Sequence, residues 1–472
     1  MKKNYLKVTA ILLALFTIVF SSCDKDDDPT PVREISNMYK IGTTTYTTNK
    51  ETKTVTINDR GEGTGTRTLS ADTVWILEGF VFVANGQTLT IEPGTMIQGK
   101  PGQAENASAL IVKQGGKIMA EGTAEKPIVF TGLGDTYTGE NGYMKQIQGL
   151  WGGLIILGKA TTNNSVQKRI EGVPEEYSAF YGGNNDNDNS GVLKYVSIRH
   201  GGTDIGAGNE INGLTLGGVG NGTVIDYIEV ISNVDDGVEF FGGAPNLKHI
   251  LVAFCGDDSY DYDEGFHGKG QFWVTIQSES SGDRLGEHDG GDGDDETATP
   301  YAKPIIYNAT YIGNGNGKVI TFRDNAGGVY ANSIFASQSK GIDVEFRDDK
   351  ANSLDQLVSK DNLDIKNCLF NQVANQTIAK ALTVSEVEGH GTAPSTTAST
   401  LASHFSDNSN SISSLNTVGF NNGNHLLIPA TGEANNGVAP TDDWFNNVTY
   451  QGAFAPGGNN WAQGWTLTFA SN

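Results

Sequence analysis

Short runs of β-branched and aromatic residues alternate with Gly, Asn and Asp along most of the chain, a pattern that predicts short strands separated by turns. The pattern also repeats. Residues 225–243 (IDYIEVISNVDDGVEFFGG) align with residues 247–265 (LKHILVAFCGDDSYDYDEG) at an offset of 22 residues. This offset places Asp235 over Asp257, Asp236 over Asp258 and Glu239 over Asp261.

Further copies extend the repeat in both directions. Residues 193–204 fit the same frame at an offset of 32, which a ten-residue loop explains. Residues 308–324 and 332–348 align at an offset of 24, which superposes two Phe-Arg-Asp triplets, and residues 363–371 look like one further copy. Looser copies cover residues 74–99, 109–132 and 149–160.

A period of 22–24 residues with two or three short strands is typical of one coil of a right-handed parallel β-helix. Leucine-rich repeats have a similar period but need a Leu ladder with a fixed Asn, and propeller blades need periods nearer 40–50 residues. We predict an all-β fold with roughly ten to twelve coils, whose inward side chains stack as apolar ladders. The predicted divisions and loops are a β-helix over 55–380, a Ser/Thr/Asn-rich capping region over 381–472, and loops at 100–108, 161–190, 278–301 and 351–362.

The first 22 residues predict a targeting segment, with three lysines followed by the apolar run 8–20. This run is shorter than the roughly 20 residues of a membrane-spanning helix. Two serines before Cys23 favour a lipoprotein signal with acyl chains such as palmitate on Cys23; the alternative is an ordinary secretory signal cut near Ser22. Residues 23–54 would then form the lipidated cysteine, an acidic tether and an N-terminal cap.

The chain is strongly acidic, with 32 basic and 55 acidic residues and a formal net charge of −23. Removing residues 1–22 takes away three lysines, so the mature charge is −23 − 3 = −26. This charge argues against nucleic acid and anionic lipid as partners, and it favours solubility and cations or neutral glycans as ligands. The other two cysteines, Cys255 and Cys368, fall in strand-like runs at different coil positions, which predicts two buried thiols and no disulfide.

Several sequence strings spread over residues 55–472 carry a family resemblance. They are VWILEGFVFV, LTIEPGTMIQGKPG, ALIVKQGGKI, YVSIRHGGTDIGAGNEINGLTLGGVG, DDGVEFFGG, CGDDSYDYDEGFHGKGQFW and GAFAPGGNNWAQGWT. They resemble a family of Bacteroidota outer-membrane lipoproteins, which is similar to a spirochaetal outer-membrane lipoprotein family. The resemblance implies a β-helical lipoprotein on the outer face of the outer membrane, and it implies no reaction and no catalytic residues.

Stacked carboxylates are the first candidate for chemistry, because like charges one coil apart cannot all stay ionised without a partner. Asn233-Val234-Asp235 and Asp257-Asp258 locally resemble polygalacturonases, which implies Asp258 as the acid and Asp235 and Asp257 as water-activating bases. The sequence departs from that family where a Gly-His-Gly is expected, since residues 278–280 read Ser-Glu-Ser. The alternative is a ladder of polar side chains bonded to turn backbone.

The segment 287–296 (EHDGGDGDDE) is the second candidate, because carboxylates on a Gly-rich loop suit Ca²⁺. The alternative is a solvated acidic loop. A possible structural Ca²⁺ would take its ligands from this loop and the carboxylate stack, namely Asp289, Asp292, Asp294, Asp261, Asp263 and Glu264.

The third candidate is a glycan-binding surface. Arg323 and Arg347 could grip acidic sugars, or they could pair with the aspartates that follow them. His200, Tyr260, Tyr262 and Trp273 could form a sugar platform, or they could be coil packing.

The leading functional hypothesis is a lipid-anchored surface protein that presents a rigid β-helix for glycan or cell-surface binding without catalysis. The first alternative is a polysaccharide-degrading enzyme that uses Asp235, Asp257 and Asp258. The second is a structural protein of the surface coat.

Overall fold

The computed structural model describes residues 38–41, 44–47, 53–59, 61–135, 144–206, 209–291, 296–415, 417–421 and 424–470. The chain divides into two units, residues 1–36 and 37–472, and the description concerns the second. The predicted signal segment, Cys23 and the acidic tether lie outside the described residues.

Each coil of the second unit has three faces, which we call A, B and C. Face C is a ten-stranded parallel sheet of Phe80–Val83, Ala109–Val112, Leu154–Leu157, Leu214–Gly217, Val238–Phe241, Tyr260–Asp263, Arg284–Asp289, Lys318–Arg323, Ile342–Phe346 and Leu382–Glu386. Faces A and B together form one eighteen-stranded parallel sheet. The predicted right-handed parallel β-helix is therefore confirmed.

Four long strands of this second sheet bend and run through both faces: Gly191–Arg199, Val224–Ile231, Asn246–Ala253 and Lys269–Ile276. Face A also contains Arg67–Leu69, Thr88–Ile91, Lys117–Glu121, Ile305–Tyr307, Gly328–Ala331 and Leu363–Lys366. Face B also contains Lys53–Ile57, Thr73–Leu77, Met96–Gly99, Ile128–Gly132, Thr310–Ile312, Ile334–Gln338, Leu369–Val373 and Ser411–Ile412.

The remaining elements are two-stranded antiparallel pairs and short helices. The pairs are Met38–Ile41 with Thr44–Thr47, Lys168–Arg169 with Phe180–Tyr181, Asp204–Gly206 with Asn209–Glu210, and Thr417–Asn421 with Asn424–Pro429. The α-helices are Ser353–Val358, Ile378–Ala381 and Thr397–Asp407, and 3-10 helices lie at Ala104–Asn106, Met144–Gln146, Glu175–Tyr177 and Ala374–Gln376. Within the described part of the chain, no helix is long and apolar enough to cross a membrane.

The strand registers confirm most of the predicted offsets. Val192 pairs with Val224 at an offset of 32, Glu239 pairs with Asp261 at 22, and Ile306 pairs with Tyr330 at 24. On face C, however, Phe322 pairs with Val344, so the offset there is again 22.

The predicted superposition of the two Phe-Arg-Asp triplets is therefore wrong. The turn from face B to face C is two residues shorter in the later coil. The second Phe-Arg-Asp triplet therefore lies two residues further along its face C strand than the first triplet does. Arg323 consequently lies beside Glu345 rather than beside Arg347.

The corner between faces A and B is turned by a residue in the left-handed conformation. Tyr195, Tyr227, His249 and Phe272 occupy this corner in four successive coils, with φ between 48° and 61°. Their rings stack at centroid distances of 4.2 to 4.9 Å. The ring stacking offsets part of the cost of a left-handed bulky residue.

Inside the coils, apolar side chains form one continuous core. Cys255 and Cys368 are buried free thiols, as predicted, and burial raises the pKa of each to about 12.

Between the last strands of faces C and B, helix Thr397–Asp407 buries Leu401 and Phe405 against the core. Residues 430–470 lie along the outer side of face B, and Trp444 and Phe445 reach face A. On face B, Glu229 accepts the backbone N–H groups of Leu467 and Thr468 at 2.9 and 2.8 Å.

Candidate functional site

The outward side chains of face C change character along the β-helix. Because side chains alternate in a strand, one residue per coil in a given row points outward. From the N-terminal coil onward this row reads Phe82, Ile111, Ile155, Thr215, Glu239, Asp261, Glu287, Thr321, Asp343 and Thr383. The first three coils are therefore apolar on the outside, and the acidic residues begin at Glu239.

The apolar end is covered by the loop 161–190. Its side chains Ile170, Val173, Ala179 and Tyr181 are at most 5% exposed and pack with the outward residues of the first three coils. Tyr177 adds ring contacts to Phe80 and Phe82 at 5.8 and 5.0 Å. This end of face C is thus a second, outer hydrophobic core.

The acidic end contains a cluster of Asp236, Glu239 and Asp261, which we call the acid cluster. One carboxylate oxygen from each lies within 4.8 Å of the others. Among the described residues, no Lys, Arg or His forms an ion pair with these three carboxylates. Asp236 Oδ1 accepts the Asp258 backbone N–H at 2.8 Å, whereas Asp261 Oδ1 is buried without a hydrogen-bond partner.

Asn212 borders the acid cluster. Its Nδ2 donates to Glu239 Oε2. The residue is only 2% exposed, and its Oδ1 has no hydrogen-bond partner. Because both atoms belong to one amide, this neutral oxygen lies close to the Glu239 carboxylate.

The electrostatics of the acid cluster disfavour three full negative charges. Burial raises the pKa of Asp236, Glu239 and Asp261 well above the ordinary carboxyl range. Neighbouring carboxylates raise these pKa values further, with Asp258 acting on Asp236 and Glu171 acting on Glu239. Such a group needs bound protons or a cation, and hard oxygen ligands suit Ca²⁺.

Later coils of face C neutralise their carboxylates with arginines. Arg284 pairs with Glu287 at 2.8 Å, and Arg323 contacts Glu287 at 2.7 Å and Asp289 at 2.6 and 2.8 Å. Arg347 pairs with Glu296, Asp324 and Glu345 at 2.5, 2.5 and 3.0 Å. The acid cluster differs from these coils in lacking such a pair.

The three candidate catalytic carboxylates lie at the turn before face C. Asp235 and Asp257 belong to one group of carboxylates with oxygens within 4.8 Å, and Asp257 and Asp258 belong to another. Asp258 is 1% exposed, and its two oxygens accept from the backbone N–H and the guanidinium of Arg284 at 2.5 and 3.2 Å. These contacts join Asp258 to the next coil and stabilise the turn.

Of the predicted calcium ligands that the structure describes, only Asp261 belongs to a group of three acidic residues with oxygens within 4.8 Å of one another. Asp289 is bound bidentately by Arg323, and Glu264 accepts Lys168 Nζ at 2.8 Å and the Tyr181 hydroxyl at 2.7 Å. Asp263 ends a face C strand, and Asp261 belongs to the acid cluster. Asp292 and Asp294 lie outside the described residues.

The segment that was expected to be a single loop over 278–301 begins with a strand. Residues Arg284–Asp289 form a full member of face C. His288 points inward, and burial lowers its pKa to about 3, so that a neutral ring meets the Tyr330 hydroxyl at 2.8 Å. Because this strand is mostly polar, the pattern of hydrophobic residues did not predict it.

The expected aromatic sugar platform is not formed by the residues named for it. Tyr260, Tyr262 and Trp273 are at most 1% exposed and stack inside the coils. His200 is 1% exposed, with Nδ1 at 2.6 Å from the Ile147 carbonyl. Arg323 and Arg347 take part in the ion pairs described above.

Sequence reasoning did not name Asp236 or Glu239 among the candidate site residues, and it missed Asn212 altogether. The 22-residue offset already aligned Glu239 with Asp261. Applying strand alternation to that alignment would have placed both carboxylates on the outer side of face C.

Comparison with known proteins identifies the class. The chain matches the family of pectate-lyase-like β-helix domains over residues 36–466, and it therefore belongs to that family. Searches among curated proteins and among solved structures give no match.

Proposed function

We propose that this protein is a lipid-anchored β-helix of the bacterial outer membrane that binds carbohydrate at the acidic end of face C. In this proposal Ca²⁺, held by Asp236, Glu239 and Asp261, forms part of the binding site. The observation that carries the proposal is the acid cluster, which brings three carboxylates within 4.8 Å with no described basic partner.

Family membership supports a carbohydrate ligand, because the matched family is described as pectate-lyase-like. Fold-level likeness alone does not establish an activity. The site itself favours binding over the polygalacturonase mechanism, because Asp258, the acid of that mechanism, is 1% exposed and its oxygens accept hydrogen bonds from Arg284.

The chemistry of the acid cluster supports Ca²⁺ in particular. Ca²⁺ accepts six to eight oxygen ligands in flexible geometry, so three carboxylates leave positions for ligand hydroxyl groups. A bound cation would also remove the repulsion that raises the three carboxyl pKa values.

The test combines calorimetry with a glycan array on the full-length protein. We expect Ca²⁺ binding that Asp261→Asn weakens at least tenfold and that Asp343→Asn leaves unchanged. Asp343 is the matched control because it lies in the same outward row but pairs with Lys318 at 2.7 Å. Glycan binding should require Ca²⁺ and should be lost with the chelator.

Two outcomes would contradict this proposal. Equal Ca²⁺ affinity in wild type and Asp261→Asn would place the cation elsewhere. Release of oligosaccharide from an array ligand would favour the polysaccharide-degrading alternative.

The membrane anchor has a separate test, since it rests on the sequence around Cys23. Cys23→Ala should release the protein from the membrane fraction, because the acyl chains would be missing. Unchanged retention in that variant would argue against a lipoprotein.

A further inference from the structure

Residues 461–470 form a short segment that lies against the outer side of face B beside Glu229, and we call this segment the latch. Within the described part of the chain, no strand follows Asn424–Pro429. The latch therefore takes no part in the parallel sheets of the coils. It can leave face B without breaking a strand pair.

Two charged side chains of the β-helix bind the main chain of the latch. Glu229 is 0% exposed, and its oxygens accept the backbone N–H groups of Leu467 and Thr468 at 2.9 and 2.8 Å. The Thr468 hydroxyl donates to the same carboxylate at 2.7 Å. Lys145 Nζ donates to the carbonyls of Thr468 and Ala470 at 3.0 and 3.3 Å. Together these side chains bind both the donors and the acceptors of a peptide backbone.

The floor beneath the latch is polar. Ser197 lies beside Glu229 in the register of the sheet, and Arg199 Nε is 3.9 Å from the Glu229 carboxylate. In the next coil the row continues with Leu251, which belongs to the apolar cluster shared with residues 434–454. Charged groups regain hydration when their cover leaves, whereas exposure of apolar groups to water is unfavourable. The latch is therefore the part of this cover that opens most readily.

Two indole rings give the contact its side-chain specificity. Trp465 meets the rings of Tyr195 and Tyr227 at centroid distances of 5.4 and 6.4 Å. Trp461 meets Tyr227 and His249 at 6.0 and 5.2 Å. All four contacts are edge-to-face, a favoured geometry for aromatic pairs. The site thus fits a peptide with two tryptophans four positions apart, followed by Leu-Thr.

A hinge precedes the latch. Residues 455–460 read Ala-Pro-Gly-Gly-Asn-Asn, and four of these six residues are exposed. Gly457 has a φ of 67°, in the left-handed region that favours glycine. In the closed state Trp461 stacks on Phe454 at 5.6 Å across this hinge. When extended, six residues reach at most about 20 Å, which is enough to carry the latch to a neighbouring molecule.

We propose that the latch is a self-peptide held in a peptide-binding site on face B, and that a second copy of this chain is the partner of that site. The latch leaves without unfolding the coils, and the latch of the second copy then makes the same contacts with Glu229, Lys145 and the ring ladder. This inference is independent of the carbohydrate-binding function proposed above.

Hydrogen exchange of the full-length protein, followed by mass spectrometry, tests whether the latch opens by itself. We expect its amides to exchange about 100-fold faster than those of the strand Val224–Ile231, because local opening costs less free energy than unfolding. Glu229→Gln should speed exchange in the latch about tenfold further, because one oxygen that accepts backbone N–H groups becomes a donor. Glu345→Gln is the matched control, since Glu345 is also buried but pairs with Arg347 on face C.

Equal protection of the latch and the strand in the wild-type protein would overturn the proposal, because the latch would then open only when the coils unfold. Equal acceleration by the two glutamine variants would also contradict it, because Glu345 makes no contact with the latch in the described structure.

A mixture of two full-length variants tests the second copy as partner. Leu467→Asp places a carboxylate beside Glu229 and should release the latch while the site stays intact. Glu229→Gln weakens the site while the latch keeps its sequence. We expect neither variant to associate alone and their equimolar mixture to form a one-to-one complex in sedimentation velocity. Adding Trp465→Ala to the Glu229→Gln chain should abolish this complex, because its latch then lacks one of the two rings.

Three results would overturn the exchange between copies. The first is a mixture that stays monomeric although both variants keep the strand spectrum of the wild type. The second is a complex that persists with Trp465→Ala, which would place the contact elsewhere on the chain. The third is loss of the strand spectrum in Leu467→Asp, which would make the latch an obligatory part of the fold.

Discussion

The two ends of face C share one backbone ladder and differ in what their outward side chains do. In the first three coils Phe82, Ile111 and Ile155 are buried beneath the loop 161–190. In the fifth and sixth coils of face C, Glu239 and Asp261 occupy the same row next to carboxylates. The comparison shows that strand pairing forms the coil in both regions. The chemistry of the outward side chains then determines whether that part of the face is buried as a hydrophobic core or contains a candidate site.

The two ends of face C also differ in how their outward side chains affect the stability of the fold. Buried apolar side chains stabilise the fold by leaving water. Clustered carboxylates oppose folding unless protons or a cation compensate them. A cluster of carboxylates that is present despite this unfavourable effect is typical of a functional site, because carboxyl groups with shifted pKa values are concentrated at binding and catalytic sites.

The largest expected effect is at the apolar end. Phe82→Ala should lower the free energy of unfolding by about 3–5 kcal/mol, because it leaves a cavity where a fully buried ring packs against Tyr177. Urea denaturation followed by circular dichroism measures the change. The control is Phe180→Ala in the covering loop, since Phe180 is 43% exposed and should change stability by less than about 0.5 kcal/mol. Equal losses in the two variants would refute an outer core.

The acidic end should respond to cation instead. Ca²⁺ at about 100 times its dissociation constant should raise the unfolding free energy by about 2.7 kcal/mol, because a ligand bound only to the native state stabilises it. Thermal melts with chelator and with Ca²⁺ measure the effect. Asp261→Asn should abolish the difference and Asp343→Asn should keep it. Identical melts of the wild-type protein in both buffers would leave the acid cluster without a metal.

A smaller loss is expected at the turn that precedes face C. Asp258→Asn should cost about 1–3 kcal/mol, because an amide nitrogen would then face the Arg284 donors. Asp257→Asn is the neighbouring control, since that residue is exposed and its replacement should change stability by less than about 0.5 kcal/mol. A stable Asp258→Asn protein that had lost oligosaccharide release would instead restore Asp258 as a catalytic acid.

A slope of stability with pH is expected in the arginine-paired coils. Burial raises the pKa of Asp289 to about 6 and that of Glu345 to about 7. Both pKa values in the folded protein lie above the ordinary values of these carboxyl groups. At pH values between the ordinary and the raised pKa, the folded protein therefore binds more protons than the unfolded chain. Stability should therefore fall as pH rises from about 4.5 to 7.

Denaturation series across this range, in chelator, measure the slope. Glu345→Gln should flatten it, and Glu388→Gln, at an exposed position, should not. Stability that rises with pH over the same window would contradict the raised pKa values.

The amino-acid sequence alone determined the coil. The 22-residue offset between the repeats 225–243 and 247–265 predicted which residues stack, because strands of neighbouring coils pair residue by residue. The same repeat predicted two buried thiols and the stacking of Glu239 on Asp261. These features depend on local alternation and period, which a single chain displays.

Only the tertiary structure decided which side each residue faces and what covers it. Tyr260 and Tyr262 alternate with Asp261 and Asp263, and a shift of one residue in strand phase would exchange the ring ladder and the acid row. The pairing of Arg323 with Asp289 follows from coils 34 residues apart in the chain. The cover over the apolar end comes from the loop 161–190, whose contacts are set by packing in space, and no local pattern specifies such contacts.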